Sequence, residues 1–224
     1  MILVFDLDDT LYNEIHYVES GFKAVSGFIS GQWQLNKDEV YNLLIQALSS
    51  KGRGHVFDLV LSYYGLLSKR NIKRCVGVYR RHMPSIELHK AGERCLKRFR
   101  DWPRYLVTDG NKLVQNNKVE ALRLQSQFKR IMITHQFGVA RAKPSPYCFE
   151  LIVKAEKLEP PQIVYIGDNP AKDFVGIKPL GFKTIRVLTG AHKNVCKPDH
   201  YEAEATIQTL DELTPAILEQ LQST

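Results

Sequence analysis

Ile2-Leu3-Val4-Phe5-Asp6-Leu7-Asp8-Asp9-Thr10 is the stretch on which the reading of this chain turns. An unbroken run of branched and aromatic apolar residues that stops at an acidic cluster has the form of a parallel strand, buried on both faces and ending in a polar loop. The period then changes. Ile15, Val18, Phe22, Val25 and Ile29 recur at three- and four-residue steps, which marks one face of an amphipathic helix. Asn36, with Glu39 three residues on, has the form of a capping box opening a second helix through Val40, Leu43, Leu44 and Leu48 toward Gly52. Helical spacing continues through Val56, Leu59, Val60 and Tyr63, then through Ile72, Cys75, Val76 and Tyr79, until Pro84 interrupts it. Residues 12–85 thus read as an all-helical insertion after the first strand, with Phe22, Phe28, Tyr63 and Tyr64 expected in its core.

Past the insertion, strand and helix patterns alternate. Strands are expected at Tyr105 to Val107, Arg130 to Ile133, Ile163 to Ile166 and Thr184 to Val187. Helices are expected at Leu113 to Leu124, Pro146 to Glu156 and Phe174 to Lys178, the last shortened by Pro179. This predicts an α/β fold: a Rossmann-like parallel sheet with helices on both faces, formed by residues 1–11 and 86–224. Such sheets gather their ligands at the carboxyl ends of the strands. Asp6 and Asp8, Thr108 and Asp109, Lys143, and Asp168 and Asp173 all follow predicted strands and should converge there. Singly they are ordinary turn and cap residues. Together they bring carboxylates, a hydroxyl and a lysine to one edge of the fold.

Composition narrows the possibilities. The 224 residues, 44% hydrophobic and 25% charged, suit one large globular domain or a core with a smaller companion. No apolar run approaches the roughly 18 residues of a membrane span, and the opening apolar run is too short for a signal peptide. A soluble, cytoplasmic protein is expected. Cys75, Cys95, Cys148 and Cys196 form no C-x-x-C pair, so neither a zinc site nor a disulfide framework is expected. The net charge of +7 suits nucleic acid, an anionic surface or a small phosphorylated substrate. Its cations fall in short groups such as Lys69-Arg70, Arg80-Arg81 and Lys97-Arg98, with no nucleic-acid-binding motif, and read as solvated helix faces.

The convergent set suits phosphoryl transfer, which needs an in-line nucleophile, a hard cation, fixed donors on the phosphoryl oxygens and a proton for the leaving alkoxide. Asp6 is placed to attack, and Asp8, two residues on, to deliver that proton and later to activate water. Oxygen-only ligands favour magnesium over zinc.

These residues resemble the haloacid dehalogenase superfamily. Asp6-Leu-Asp-Asp-Thr matches its D-x-D-x-T motif, Thr108-Asp109-Gly110 its second motif, Lys143-Pro144 its lysine motif, and Gly167-Asp168 through Asp173 its G-D-x-x-x-x-D motif. The resemblance implies Asp6 as nucleophile, Asp8 as acid and base, and Thr108, Asp109 and Lys143 at the phosphate, Asp109 chiefly through its backbone N–H. It also implies magnesium on Asp6, Asp168 and the backbone carbonyl of Asp8, with Thr10 and Asp173 acting one step further out, and makes 12–85 the cap domain. Members that displace halide or cleave phosphonates lack an aspartate at the position of Asp8, so its presence points to a phosphatase acting on a small phosphomonoester, with a phosphosugar mutase as the near alternative. A protein of another class, a catalytically inactive nucleic-acid or anion binder, sits poorly with an intact acidic set. Within the cap, the glycine-rich, basic Lys51-Gly-Arg-Gly-His55 makes Arg53 the candidate for substrate choice.

Overall fold

The computed structural model describes residues 1–223. It forms two compact units, one of residues 1–14 and 87–224, the other of residues 15–86. The first is built on a six-stranded parallel sheet. Its strands are β1 (Ile2–Phe5), β2 (Arg104–Thr108), β3 (Arg130–Ile133), β4 (Ile163–Gly167), β5 (Lys183–Val187) and β6 (Ala205–Ile207), in the order β3-β2-β1-β4-β5-β6. Every residue of β1, β2 and β4 is buried, as the continuous apolar runs require of a sheet covered on both faces. In the pairing register Phe5 lies opposite both Leu106 of β2 and Ile166 of β4. The strand order reverses at β1, so the loops after β1 and β4 leave side by side. That is the switch point at which open α/β sheets bind ligands.

The chain also carries α1 (Glu14–Trp33), α2 (Lys37–Lys51), α3 (Val56–Tyr63), α4 (Lys69–Arg81), α5 (Lys90–Arg98), α6 (Lys112–Ala121), α7 (Tyr147–Glu156) and α8 (Pro215–Ser223). The helical unit closes around Val18, Phe22, Val25 and Ile29 of α1, which meet Leu44 of α2 and Val60 of α3. Asn36 caps α2 by accepting from the Asp38 and Glu39 amides. The reciprocal half expected of a capping box is replaced: Glu39 Oε1 accepts from the Tyr64 hydroxyl at 3.0 Å. Ser68 caps α4 in the same way as Asn36 caps α2, through the Asn71 amide.

Two expectations are corrected. No α-helix forms over Phe174 to Lys178; turns lead there into a 3-10 turn at Lys178–Leu180, where Pro179 cannot donate to a helix and Gly181 takes a left-handed φ of 89°. Tyr63 is 66% exposed rather than part of the helical core, whereas Phe22 is buried and Phe28 and Tyr64 are half-buried. Cys75, Cys95 and Cys148 are buried free thiols, with burial pushing their pKa values up to about 11, 12 and 11. Among the described residues no helix is long and apolar enough to cross a membrane.

Candidate active site

The loop after β1 carries Asp6, Asp8, Asp9 and Thr10, and its backbone is fixed by Asp9. That residue sits at a φ of +56°, a left-handed conformation uncommon for anything but glycine. It is over-determined by its partners. Asp9 Oδ1 accepts from the Glu14 amide at 2.8 Å, Oδ2 accepts from the Ala191 amide at 3.1 Å, and its carbonyl accepts from the Thr189 hydroxyl. Gly190, at a φ of +61°, lies so near that a Cβ there would fall 2.0 Å from Asp9 Cγ.

Asp6, Asp168 and Asp173 are buried together, with one oxygen from each within 4.8 Å of the others. Lys143, delivered by the loop between β3 and α7, enters this cluster with its side chain 1% exposed. Its Nζ donates to Asp6 Oδ1, to Asp173 Oδ1 and to the Tyr165 hydroxyl, each at 2.8 Å. Burial works against the ammonium, yet Asp173 and Asp6 outweigh it and hold the Lys143 pKa above its ordinary value. Asp173 Oδ2 accepts from the Asn169 amide at 2.8 Å. Gly167 makes room for it, since a Cβ there would lie 2.6 Å from that oxygen.

Lys143, with Lys172 nearby, does not offset the burial of three carboxylates. Burial pushes the Asp6 carboxyl up to about 6 despite Lys143, and burial with the neighbouring Asp173 and Asp6 pushes Asp168 up to about 9. Asp168 Oδ2 is buried without a hydrogen-bond partner, as is the Thr10 hydroxyl. A buried carboxylate oxygen left without a donor beside two further carboxylates could hold a hard divalent cation.

Asp8 faces a different group. Its Oδ1 accepts from Lys118 Nζ at 2.6 Å and from the Tyr12 hydroxyl, and its Oδ2 accepts from Gln115 Nε2 at 2.9 Å. Burial alone would raise its pKa, but the Lys118 ammonium, with the hydrogen bonds from Lys118, Tyr12 and Gln115, holds it below the ordinary carboxylate value. Gln115 Nε2 also donates to Thr108 Oγ1 at 2.5 Å, joining the ends of β1 and β2.

Asp109 has a task that sequence reading did not give it. Its carboxylate accepts from Thr134 Oγ1 at 2.7 Å and from the Lys143 amide at 3.1 Å, and it lies 3.4 Å from Lys172 Nζ. It therefore holds the lysine loop in place. Despite burial, Lys143 and Lys172 keep its pKa low.

Asp6, Lys143, Asp168 and Asp173 are thus brought together, with Asp8 and Thr108 joined through Gln115. Arg53 stands in the other unit, exposed in the 3-10 turn Arg53–His55. Among the partners that escaped the sequence reading are Gln115, Lys118 and Lys172. The first two had a signal, because Gln115, Lys118, Val119 and Leu122 fall at i, i+3, i+4 and i+7, the spacing of an inward helix face with two polar residues on it.

Residues 1–181 match the family model of haloacid dehalogenase-like hydrolases. The chain is 29% identical over 224 residues to a glyceraldehyde 3-phosphate phosphatase of Methanocaldococcus jannaschii, covering 96% of each protein. It is 28% identical over 203 residues to a phosphatase of the same description from Pyrococcus furiosus, covering 82% of this chain and 79% of that one. Among solved structures, a HAD phosphatase from Thermococcus onnurineus superposes with a TM-score of 0.60 at 21% identity, covering 96% and 97% of the two chains. A putative HAD hydrolase of Bacillus subtilis, solved with magnesium bound, gives 0.67 at 17% identity and covers 97% of each. A parallel sheet with an acidic cluster at its switch point, and a family match running through all four motifs, lead to one conclusion: the chain belongs to the haloacid dehalogenase-like hydrolases.

Proposed function

We propose that this enzyme is a magnesium-dependent phosphatase that hydrolyses a small phosphomonoester, a sugar phosphate or related metabolite, through a phosphorylated Asp6. The reading is carried by the buried, unpartnered Asp168 Oδ2 beside Asp6. It is supported by relatives that are phosphatases of a triose phosphate. Asp6 and Asp168, with the backbone carbonyl of Asp8, would hold the cation. When bound, magnesium supplies positive charge that offsets repulsion between carboxylate and phosphate.

In the first half-reaction an Asp6 carboxylate oxygen attacks phosphorus, the bond to the ester oxygen breaks, and the carboxyl of Asp8 gives its proton to the departing alkoxide. The Lys118 pair favours ionised Asp8 in the free enzyme. An arriving phosphate dianion opposes it, because like charge nearby raises the proton affinity of a carboxylate. In the second half-reaction Asp8, now ionised, takes a proton from water. The water oxygen bonds to phosphorus, the bond to Asp6 breaks, and phosphate leaves. The Thr108 hydroxyl, joined to Asp8 through Gln115, and Lys143, 2.8 Å from Asp6, would bind the phosphoryl oxygens.

Excess EDTA is expected to abolish hydrolysis of p-nitrophenyl phosphate and of a panel of small sugar phosphates, and magnesium to restore it. Undiminished turnover in EDTA would exclude the metal assignment. An independent readout is melting. Magnesium at about a hundred times its Kd adds about 2.7 kcal/mol, a Tm rise on the order of 5–10 °C for a chain of this size, and Asp168→Ala is expected to lose that rise.

The helical unit 15–86 is proposed as the cap that selects the substrate, with Arg53 binding its non-reacting end. Arg53→Ala is then expected to lower kcat/KM for the best sugar phosphate by about 10-fold, equivalent to about 1.4 kcal/mol, with little change for p-nitrophenyl phosphate. Equal losses on both substrates would assign Arg53 to folding instead.

A further inference from the structure

Asp8 is the site residue with the most donors that are themselves buried. Lys118 has its side chain 3% exposed, and Tyr12 and Gln115 are fully buried. A lysine on the inward face of α6, in line with Val119 and Leu122, is a poor choice for stability, since a buried ion pair seldom outweighs the cost of removing both charges from water. What it does achieve is direction. A carboxylate offers about four lone-pair positions. On Asp8, Oδ1 has both of its positions taken, by Lys118 and Tyr12, and Oδ2 has one taken by Gln115. The single open position is on Oδ2.

We propose that Lys118 and Gln115 are positioning residues for the reaction: they fix the Asp8 carboxylate so that it exchanges its proton at Oδ2. Gln115 sets this position relative to the phosphate site because the same amide nitrogen donates to Thr108 Oγ1. Lys118 Nζ also lies 3.6 Å from Glu14 Oε1, a second carboxylate on the same ammonium. The arrangement places a helix after the second strand in control of a group after the first. The inference rests on the acid and base role given to Asp8 above.

The test follows p-nitrophenyl phosphate through both halves of the reaction. Its leaving group needs no proton, so release of nitrophenolate in a single turnover reports attack by Asp6, while steady-state turnover also needs Asp8 to activate water. Lys118→Met is expected to keep the single-turnover rate within about 3-fold, to lower steady-state turnover at least about 10-fold, and to accumulate acid-stable phosphoenzyme, the pattern also expected of Asp8→Asn. The double variant Asp8→Asn/Lys118→Met is expected to turn over within about 3-fold of Asp8→Asn alone, since Lys118 acts through a group already removed. Where the methionine variant does not fold, Lys118→Gln takes its place with the same expectation. Equal loss in both halves, no loss in either, or multiplicative losses in the double variant would overturn the positioning role. A normal steady-state turnover of Asp8→Asn would overturn the acid and base reading itself and the inference with it, whereas an impaired Asp8→Asn with multiplicative losses overturns the inference alone.

Discussion

Asp6→Asn is expected to lower kcat by roughly 10⁴- to 10⁶-fold and to leave no phosphate on the protein after acid quench, because an amide nitrogen or oxygen cannot replace the attacking carboxylate. The variant is also expected to fold. Asp6 is buried 2.8 Å from Lys143, but Lys143 keeps Asp173 and Tyr165 as partners, so no cation is stranded. Activity should therefore disappear without a matching loss of stability. A labelled phosphoenzyme on Asp6→Asn would move the nucleophile to another residue, and Asp8 would be the first to examine.

Lys143→Met is expected to show the opposite balance, with stability and activity falling together. Its ammonium is the cation that bridges Asp6 and Asp173, and without it three carboxylates remain within 4.8 Å of one another in a buried site. Removing one partner from a buried ionic group costs about 3–5 kcal/mol, because the partners left behind stay desolvated. Urea denaturation with and without magnesium measures this. The metal is expected to return part of the lost stability by supplying charge to the same carboxylates, but not the activity, since the donor proposed for the phosphoryl group is gone. A Lys143→Met protein with native stability in EDTA would mean that the cluster is not charged as described.

Much of the fold was legible because its elements carry strong periods. The run Ile2 to Phe5 and the steps from Ile15 to Ile29 predicted β1 and α1, and the remaining alternation placed β2 to β5 with α6 and α7. Three elements escaped: β6, α5 and the C-terminal α8, which buries Leu218 and Leu221. In β6, three residues at the sheet edge, only Ile207 is buried. In α5, a short helix rich in charge, Gly92, Cys95, Leu96 and Phe99 do fall at helical spacing and are buried, but the stripe is narrow and begins on a glycine among Lys, Glu and Arg. The segment from Phe174 looked helical from spacing alone, and Pro179 with Gly181 ends it as turns.

The candidate site divides in the same way. Asp6, Asp8, Thr108, Lys143, Asp168 and Asp173 could be found because topology sends every strand's last polar residues to one edge. Gln115, Lys118 and Lys172 could not be found by that rule, since they reach the edge from a helix and a turn. Their importance depends on three-dimensional pairing: Lys118 with Asp8, Gln115 with Asp8 and Thr108, and Lys172 with Asp109. The carboxylate of Asp109 was undervalued for the same reason, because its partners Thr134 and Lys143 are remote in sequence.

The left-handed backbone at Asp9 bears on where this enzyme could be cut. Every motif residue lies within the 1–181 segment that the family model matches, although β5, β6 and α8 follow it. The two groups that clasp Asp9 from outside its own loop, Thr189 and the Ala191 amide, lie beyond that boundary, as does the glycine that leaves room for its side chain. An L-residue in that conformation carries a strain of order 1–3 kcal/mol that only its surroundings sustain. Released from those surroundings, the loop bearing Asp6 and Asp8 would relax toward ordinary backbone angles. The recognisable family segment and the smallest piece able to work are therefore different lengths of chain, and a recombination or expression boundary chosen from motifs alone falls on the wrong side of Thr189.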